Sequence, residues 1–352
     1  MLSSSVNADC WSAIQGSAYP VVLYGTGNGA DMIIDEAEKR GIKIDACFAS
    51  DGFVRDRVFR GFKVISYSTA RSRYGRMTVI LGFGSHDRAV LENIKRIKAE
   101  NDLYMPDMLR TEDGELFDSE YYEKHRAEID SVIPLLQDEM SRRSYQSIID
   151  FRITGNIDYI FDEQVEDVDA WKLLNIDEGE VFVDLGAYNG DTIKRFLSFN
   201  KSYKRIYGVE PDRRSFKKLE KNTSSLMNIK LYNAAISDSI GTVTFSDGRG
   251  RGSNIKGEGK TVVIPTVTID SMLSGDAPTI IKFDTEGFER EAIAGGISSI
   301  KRYKPRMAIS LYHKTEDLWR LPRLVNEINK DYKLYVRKSI AIPYWDSALY
   351  AI

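Results

Sequence analysis

The 352-residue sequence predicts an α/β fold with two Rossmann-like units, a smaller N-terminal one and a C-terminal doubly wound parallel sheet, joined by a helical connector. Two stretches carry most of this prediction. In the first, an apolar run closes on Asp184 and enters a turn bracketed by Gly186 and Gly190, which is typical of a buried strand leading into a helix. The second, at 205–212, reaches Glu210, where nucleoside-binding α/β folds carry an acid for the ribose.

The N-terminal Rossmann-like domain is predicted over residues 1–100. Its expected strands are 19–25, 44–51 and 77–84, and its expected helices are 31–41 and 87–100. Gly25, Gly27 and Gly29 form the first turn, but the third glycine falls one position early for a dinucleotide fingerprint. These glycines are consistent with tight strand-to-helix packing or with a nucleotide or nucleotide-sugar ligand, because both uses need a small residue.

A helical connector is predicted over 101–178, because this stretch lacks strand alternation. The C-terminal domain is predicted over 179–352, with strands at 181–185, 205–209, 229–233, 280–284, 306–311, 332–337 and 347–352. In such a sheet the carboxyl ends of the strands meet at one edge, and ligands bind beyond that edge. We therefore expect a site assembled from strand ends.

Composition excludes several function classes. The 49 basic and 52 acidic residues leave a formal charge of −3, which provides no global attraction for nucleic acid or an anionic membrane. Cys10 and Cys47 are too few for a disulfide framework or a thiolate zinc site, which favours a reducing compartment. No apolar run has membrane-spanning length, and the start lacks a signal-peptide pattern. A cytoplasmic protein without nucleic-acid or membrane partners is expected.

Five segments occur in the order of a known family's motifs. They are DLGAYNGDT (184–192), YGVEPD (207–212), NAAISD (233–238), TVTID (266–270) and IKFDTEGFE (281–289). Together they resemble the FkbM family of S-adenosylmethionine-dependent methyltransferases, over about the last half of the chain. The spacing of Asp284, Glu286, Gly287 and Glu289 is the most particular of these motifs, and Thr285 stands where the family more commonly has Val.

The resemblance implies S-adenosyl-L-methionine as the cofactor. Asp184 and Asp191 are expected to accept hydrogen bonds from its ammonium group, Glu210 from its ribose hydroxyls, and Asp238 from the adenine amine. Asp191 could also cap a helix, and Asp238 could form a turn. The candidate cofactor-binding residues are Asp184, Gly186, Ala187, Asn189, Gly190, Asp191, Thr192, Glu210, Pro211, Ala235 and Asp238.

Asp284, Glu286 and His313 are the candidate catalytic residues, because Asp284 ends a predicted strand at the ligand edge and the other two follow predicted strands there. The carboxylates suit a base or a substrate anchor, and His313 is expected to titrate near neutral pH and to transfer protons. A divalent metal is the weaker alternative and none is predicted, since hard cations usually gather more oxygen ligands. Arg249, Arg251 and Lys256 in 247–260 suggest either an acceptor loop or a solvated hairpin.

The resemblance implies an O-methyltransferase that acts on a hydroxyl of a sugar, glycan precursor or polyketide-like metabolite. A small-molecule or glycan-type acceptor is the expected partner, and the connector could provide a homodimer face. One alternative is a protein that binds the cofactor or a nucleotide-sugar without catalysis. A nicotinamide-dependent enzyme is the other, and the spacing of the N-terminal glycines disfavours it.

Overall fold

The computed structural model of the chain describes residues 9–246 and 261–352, so the predicted acceptor loop at 247–260 lies outside the described residues. The first elements are α1 (Cys10–Gln15), β1 (Val21–Tyr24), α2 (Asn28–Lys39), β2 (Ala46–Ala49), β3 (Val58–Phe59), β4 (Phe62–Lys63), β5 (Ile65–Ser66), α3 (Tyr67–Tyr74), β6 (Thr78–Leu81), α4 (Arg88–Glu100) and β7 (Asp102–Tyr104). Five of these strands form a parallel sheet in the order β5-β2-β1-β6-β7. We call this part the N-terminal unit.

Gly29 and Gly82 of the N-terminal unit allow a close approach of two elements. A Cβ on Gly29 would lie 2.6 Å from the carbonyl oxygen of Gly82, and one on Gly82 would lie 3.0 Å from Ala30. Helix α2 therefore approaches the end of β6 more closely than larger residues permit. Asp51, which follows β2, accepts hydrogen bonds from the backbone N–H and the hydroxyl of Ser68, each at 3.1 Å.

The middle of the chain is mainly helical, as expected. Its elements are α5 (Ser119–Asp130), a 3₁₀ turn (Ile133–Leu135), α6 (Glu139–Thr154), α7 (Asp158–Phe161), β8 (Gln164–Val165), α8 (Asp167–Trp171) and a second 3₁₀ turn (Lys172–Leu174). Helix α6 packs against the later strand 334–339, and β8 pairs with the same strand. The connector thus covers one end of the C-terminal sheet, and the predicted domain boundaries at 100 and 178 stay predictions.

The C-terminal elements are β9 (Glu180–Leu185), α9 (Asp191–Phe199), β10 (Tyr203–Val209), α10 (Arg213–Thr223), β11 (Ile229–Tyr232), β12 (Ala235–Ile236), β13 (Gly241–Ser246), β14 (Thr261–Val267), α11 (Ile269–Leu273), β15 (Ile280–Phe283), α12 (Glu289–Ala294), α13 (Ile297–Tyr303), β16 (Arg306–Ser310), α14 (Asp317–Ile328), β17 (Leu334–Ser339) and β18 (Ala348–Ala351). Eight strands form the main sheet in the order β11-β10-β9-β15-β16-β18-β17-β8.

The main sheet is doubly wound but not wholly parallel. Strands β11, β10, β9, β15 and β16 pair in parallel, whereas β18 runs antiparallel to both β16 and β17. The expectation of a parallel sheet is therefore corrected at its last strand. Strand β9 is buried along its whole length, which explains its continuous apolar run.

One of the hydrophobic clusters in the described part of the chain spans both units. A single cluster of buried side chains includes Val22 and Leu81 of the N-terminal unit and Val183, Ile309 and Leu349 of the main sheet. Within residues 9–246 and 261–352, no helix combines the length and the apolar character needed to cross a membrane.

Candidate active site

A cavity of about 280 Å³ lies at the carboxyl ends of β9, β10, β15 and β16, as the strand order requires. Its wall includes the predicted cofactor residues Gly186, Asp191, Thr192, Glu210, Pro211 and Ala235, and the predicted catalytic residues Asp284 and Glu286. The other predicted residues, Asp184, Ala187, Asn189, Gly190, Asp238 and His313, do not line this cavity in the described part of the chain. The sequence motifs therefore converge on one site, although not every member reaches its surface.

The turn after β9 folds back onto the end of β10. The backbone N–H groups of Gly186 and Ala187 both donate to the carbonyl oxygen of Val209, at 3.0 and 2.9 Å, and the N–H of Tyr188 donates to Glu210 Oε2 at 2.8 Å. These three donors therefore tie the turn to the neighbouring strand.

Gly186 is required by a close backbone approach. Its φ is +79°, and a Cβ there would lie 1.8 Å from the carbonyl oxygen of Asp284. Only glycine fits this conformation and this distance. The residue therefore brings the ends of β9 and β15 together, so that the cofactor motif and the catalytic motif meet at one point.

Glu210 is almost buried, with 6% of its surface exposed, and it lines the cavity. Oε1 accepts the N–H of Asp212 at 2.7 Å and Oε2 accepts that of Tyr188. Burial raises the pKa of Glu210 to about 7, and the two N–H donors oppose that rise. A carboxylate has about four lone-pair positions, so each oxygen can still accept a ribose hydroxyl.

Asp184 lies beneath the cavity rather than in its wall. Its side chain is fully buried, and neither carboxylate oxygen accepts a hydrogen bond from the described residues, while Lys282 Nζ lies 3.5 Å from Oδ1. Burial raises the pKa of Asp184 to about 6 despite this lysine. Direct contact between Asp184 and a cofactor ammonium stays a prediction.

Asp191 is not the N-cap of helix α9, because the helix begins at Asp191 itself. Gly190, with a φ of +88°, occupies the N-cap, and Asp191 is the first helical residue, whose Oδ1 accepts the N–H of Thr192 at 2.9 Å. Asn189 Oδ1 accepts the N–H of Asp191 at 3.1 Å. These contacts hold Asp191 at the cavity wall, where its carboxylate favours a cationic ligand group.

The segment predicted to contact adenine reaches the cavity wall only in part. Ala235 and Pro211 line the cavity, together with Ile236 and Ser237. The hydroxyl of Ser239 donates to Asp238 Oδ1 at 2.9 Å, in the turn after the cavity wall. Hydroxyl donors within this turn reach Asp238 Oδ1, and a contact between Asp238 and the adenine amine stays a prediction.

Asp284 is the centre of a charged cluster after β15. Lys282 Nζ lies 3.1 Å from Oδ2, and the hydroxyls of Ser310 and Tyr312 each lie 3.0 Å from Oδ1. His313 Nε2 lies 3.3 Å from the same oxygen. Burial acts to raise the pKa of Asp284, but Lys282 and His313 outweigh it and lower the pKa to about 2. The residue is thus a carboxylate at neutral pH.

His313 is held between acidic groups. Its Nδ1 lies 2.9 Å from Oε1 of the buried Glu289, and its Nε2 lies 3.9 Å from Glu286 Oε2. Burial acts to lower the pKa of His313, but Glu289, Asp284 and Glu286 raise it to about 10. The expectation of titration near neutral pH is corrected, because a protonated imidazole cannot act as a base.

The buried side chain of Glu289 contacts both His313 and Thr285. Its Oε1 also accepts the backbone N–H of Thr285 at 2.8 Å and the Thr285 hydroxyl at 3.0 Å. The Thr at the position where the family more commonly has Val therefore adds a donor to the buried carboxylate. Glu286 has a φ of +53° and follows directly, with 53% of its side chain exposed. Within the described ranges, no group of three or more His, Cys, Asp or Glu side chains is arranged to hold a metal ion.

Lys282, Tyr312 and Asp346 are functional candidates that the sequence analysis missed. Lys282 could have been found, because residues two apart on a strand share a face and Lys282 precedes Asp284 by two. Tyr312 follows β16 at the ligand edge, so its position in the chain gave some indication of a role. No feature of the sequence indicated Asp346, because this residue reaches the cavity through the loop before the antiparallel strand β18.

Comparison with known proteins decides the family. A family model described as a methyltransferase FkbM domain matches residues 184–332. This part of the chain is an FkbM methyltransferase domain. The chain is thus an S-adenosylmethionine-dependent methyltransferase, and its cofactor is S-adenosyl-L-methionine. No curated protein matches the chain.

Solved structures show that the fold extends beyond the FkbM domain. The crystal structure of a methyltransferase FkbM from Methylobacillus flagellatus KT is similar, with a TM-score of 0.73 at 20% identity, and the match covers 97% of this chain and 92% of that one. An rRNA methylase from Streptococcus thermophilus matches with a TM-score of 0.32 at 16% identity, over 51% of this chain and 90% of that one. Fibrillarin from Aeropyrum pernix, in complex with S-adenosyl-L-methionine, matches with a TM-score of 0.34 at 13% identity. The match covers 53% of this chain and 74% of that one. The first likeness shows that the two chains share a fold.

Proposed function

We propose that the chain is an O-methyltransferase for a hydroxyl of a sugar, glycan precursor or polyketide-like metabolite. One observation carries the proposal. Asp284 is an ionised carboxylate in the cavity wall, beside the strand ends that carry the cofactor motifs, and Lys282 and His313 hold it in place. A hydroxyl donates readily to such an acceptor, and a fixed acceptor aligns the hydroxyl oxygen for reaction.

The residues of the cavity fit the cofactor. Glu210 retains acceptor capacity for two ribose hydroxyls, and Ala235 and Ile236 offer a small apolar wall for an adenine ring. Asp191 at the start of α9 suits an ammonium group. S-adenosyl-L-methionine, when bound, supplies a methyl group on a sulfonium centre, which no side chain can supply.

Asp284 receives the hydroxyl proton in this proposal. Because its pKa is about 2, it is a weak base and takes the proton only as the hydroxyl oxygen becomes acidic during reaction. Lys282 keeps the carboxylate turned into the cavity, and His313 stabilises it from the opposite side. His313 therefore acts as a positioning cation and not as the base.

The test separates binding from chemistry. Asp284→Asn keeps the shape of the side chain but removes its charge, so affinity for S-adenosylhomocysteine should stay within a few-fold. Release of S-adenosylhomocysteine with a hydroxyl acceptor found by screening should fall about 10²-fold or more, the usual contribution of a positioned acid or base. Calorimetry and a product-coupled assay measure the two quantities.

The contrary results are distinct. Full activity of Asp284→Asn would remove Asp284 from the chemistry. Binding of S-adenosylhomocysteine without turnover on any hydroxyl acceptor would favour the non-catalytic alternative. A cytoplasmic location and a homodimer stay predictions, and size-exclusion chromatography with light scattering tests the second.

A further inference from the structure

The loop between β17 and β18, residues 340–347, contacts both the N-terminal unit and the active-site cavity, and we call it the seam loop. Its Ile342 exchanges two backbone hydrogen bonds with Ser85, at 2.9 and 3.0 Å. Ser85 follows β6 of the N-terminal unit. A Cβ on the adjacent Gly84 would lie 2.6 Å from both the carbonyl oxygen of Ile342 and the ring of Trp345. The N-terminal unit is therefore fitted closely against this loop.

Asp346 of the seam loop belongs to the cavity wall and is linked to the catalytic cluster. The Tyr312 hydroxyl lies 3.3 Å from Asp346 Oδ1 and 3.0 Å from Asp284 Oδ1. Burial and the neighbouring carboxylates raise the pKa of Tyr312 far above its ordinary value, so the hydroxyl keeps its proton. Asp284 and Asp346 thus each lie within hydrogen-bonding distance of one phenol oxygen, a placement that suits two neighbouring hydroxyls of one ring.

His86 extends this arrangement into the N-terminal unit. Its Nδ1 lies 3.4 Å from Asp346 Oδ2, opposite the oxygen that faces Tyr312. The side chains of His86 and Asp346 are 43% and 44% exposed, so the pair is reachable from solvent. Contacts to Tyr312 and His86 therefore orient the Asp346 carboxylate at the cavity wall.

Trp345 lies outside the cavity wall but directly precedes Asp346 in the seam loop, so it provides an apolar surface next to this carboxylate. The residue is 39% exposed, although large aromatic side chains usually bury most of their surface, and its ring lies 5.9 Å from that of His86. An exposed aromatic ring beside hydrogen-bond acceptors suits a ligand with one apolar face and a polar edge. A sugar ring has this character.

The charge of the cavity wall limits the acceptor further. Beyond the cofactor motifs, the described wall carries the carboxylates of Asp167, Asp284, Glu286 and Asp346, and its cations are Lys282 and Arg195. Both cations have acidic partners, since Arg195 pairs with Asp167 at 2.8 Å and Lys282 pairs with Asp284. Phosphate or carboxylate groups on an acceptor would meet like charge here.

We propose that the seam loop is the acceptor-binding site for an uncharged polyol, such as a sugar ring with neighbouring hydroxyls. One hydroxyl reaches Asp284 and a neighbouring hydroxyl donates to Asp346, while the C–H face of the ring stacks on Trp345. Gly84 and His86 position the loop, so the N-terminal unit completes the acceptor site. This inference rests on the proposed function, because it assigns the hydroxyl at Asp284 as the methylated one.

Saturation-transfer NMR on the full-length protein with bound S-adenosylhomocysteine tests this site. The probes are the methyl glycosides of glucose, galactose, mannose and rhamnose, with glucuronate and galacturonate methyl glycosides as matched anionic probes. At least one uncharged glycoside should bind, and its matched uronate should bind about fivefold or more weakly. Asp346→Asn and Trp345→Ala should each weaken the glycoside about three- to tenfold, the effect of losing one hydrogen bond or one ring contact.

His86→Ala tests whether His86 positions Asp346. This variant should raise the KM of the screened acceptor with little change in kcat. His86→Gln should restore part of the affinity. Phe53→Ala, which removes an exposed aromatic ring of the N-terminal unit outside the seam, is the matched control and should change nothing. Binding of no uncharged glycoside, equal binding of the uronates, or unchanged binding in both seam-loop variants would overturn the inference. Failure of S-adenosylhomocysteine to bind in calorimetry would instead overturn the proposed function.

Discussion

His313 illustrates how buried neighbours change the chemistry of a single residue. The sequence identified its position after a strand, but not its charge, because the charge depends on Glu289, which folding brings to 2.9 Å from Nδ1. The same is true of Glu210 and Asp284, whose positions follow from strand ends. Their pKa values, about 7 and about 2, depend on burial and on partners from other elements.

The raised pKa of His313 predicts a specific dependence of stability on pH. The folded protein holds the proton up to a pH of about 10, whereas the unfolded chain releases it near 6.5. The stabilisation is therefore complete below about pH 6.5 and is lost as the pH rises towards 10. Relative to wild type, His313→Gln should lack a decline on the order of 4–5 kcal/mol in the free energy of unfolding.

Urea unfolding between pH 6 and pH 10 measures this difference. His125→Gln, which changes a histidine outside the cluster, is the control and should retain the wild-type decline. Parallel pH profiles of wild type and His313→Gln would show that His313 is not protonated in the folded protein.

At the scale of elements, periodicity predicted the strands well and their directions less well. The apolar runs placed β9, β10, β15 and β16 within a few residues, because buried parallel strands have continuous apolar sequences. An apolar run carries no direction, so the antiparallel course of β18 could not be seen. Strand β8 has only two residues and left no pattern.

The close approach of β9 and β15 predicts a severe effect of Gly186→Ala. The added methyl meets the Asp284 carbonyl, and alanine is strained at positive φ, so the free energy of unfolding should fall by about 3 kcal/mol or more. Gly52→Ala is the matched control, since Gly52 has a φ of +85° with no atom within 4 Å of the added Cβ. It should cost about 1–2 kcal/mol. Equal losses in urea unfolding would show that the contact relaxes freely.

At the scale of the whole molecule, the sequence indicated separate units, but the structure joins them. Lys338 of β17 is buried and donates to the Ser147 hydroxyl and the Tyr159 carbonyl, both at 2.7 Å. The N–H of Val336 donates to the Ser141 hydroxyl at 3.0 Å. Side-chain contacts of this kind between distant segments leave no trace in local composition.

These contacts predict how the chain tolerates truncation. A fragment starting near residue 165 loses α6 and leaves the Lys338 ammonium without its acceptors, so it should not fold cooperatively. A fragment starting near residue 106 keeps the helical connector and the acceptors of Lys338, so it should unfold more cooperatively than the shorter fragment and should bind S-adenosylhomocysteine. Circular dichroism melting and calorimetry measure both. Cooperative folding of the shorter fragment would show that the connector is dispensable.

The most direct test of the account is a calorimetric titration of the full-length protein with S-adenosylhomocysteine. Glu210→Ala should weaken binding by about 1.5–3 kcal/mol, the range for hydrogen bonds to a charged acceptor. Asp51→Ala removes the acid that follows β2 of the N-terminal unit and should leave the affinity unchanged. Because the pKa of Glu210 is about 7 and ribose hydroxyls favour the carboxylate, wild-type affinity should rise about tenfold from pH 6 to pH 8. Unchanged affinity in Glu210→Ala, or a loss confined to Asp51→Ala, would contradict the placement of the cofactor in the C-terminal cavity.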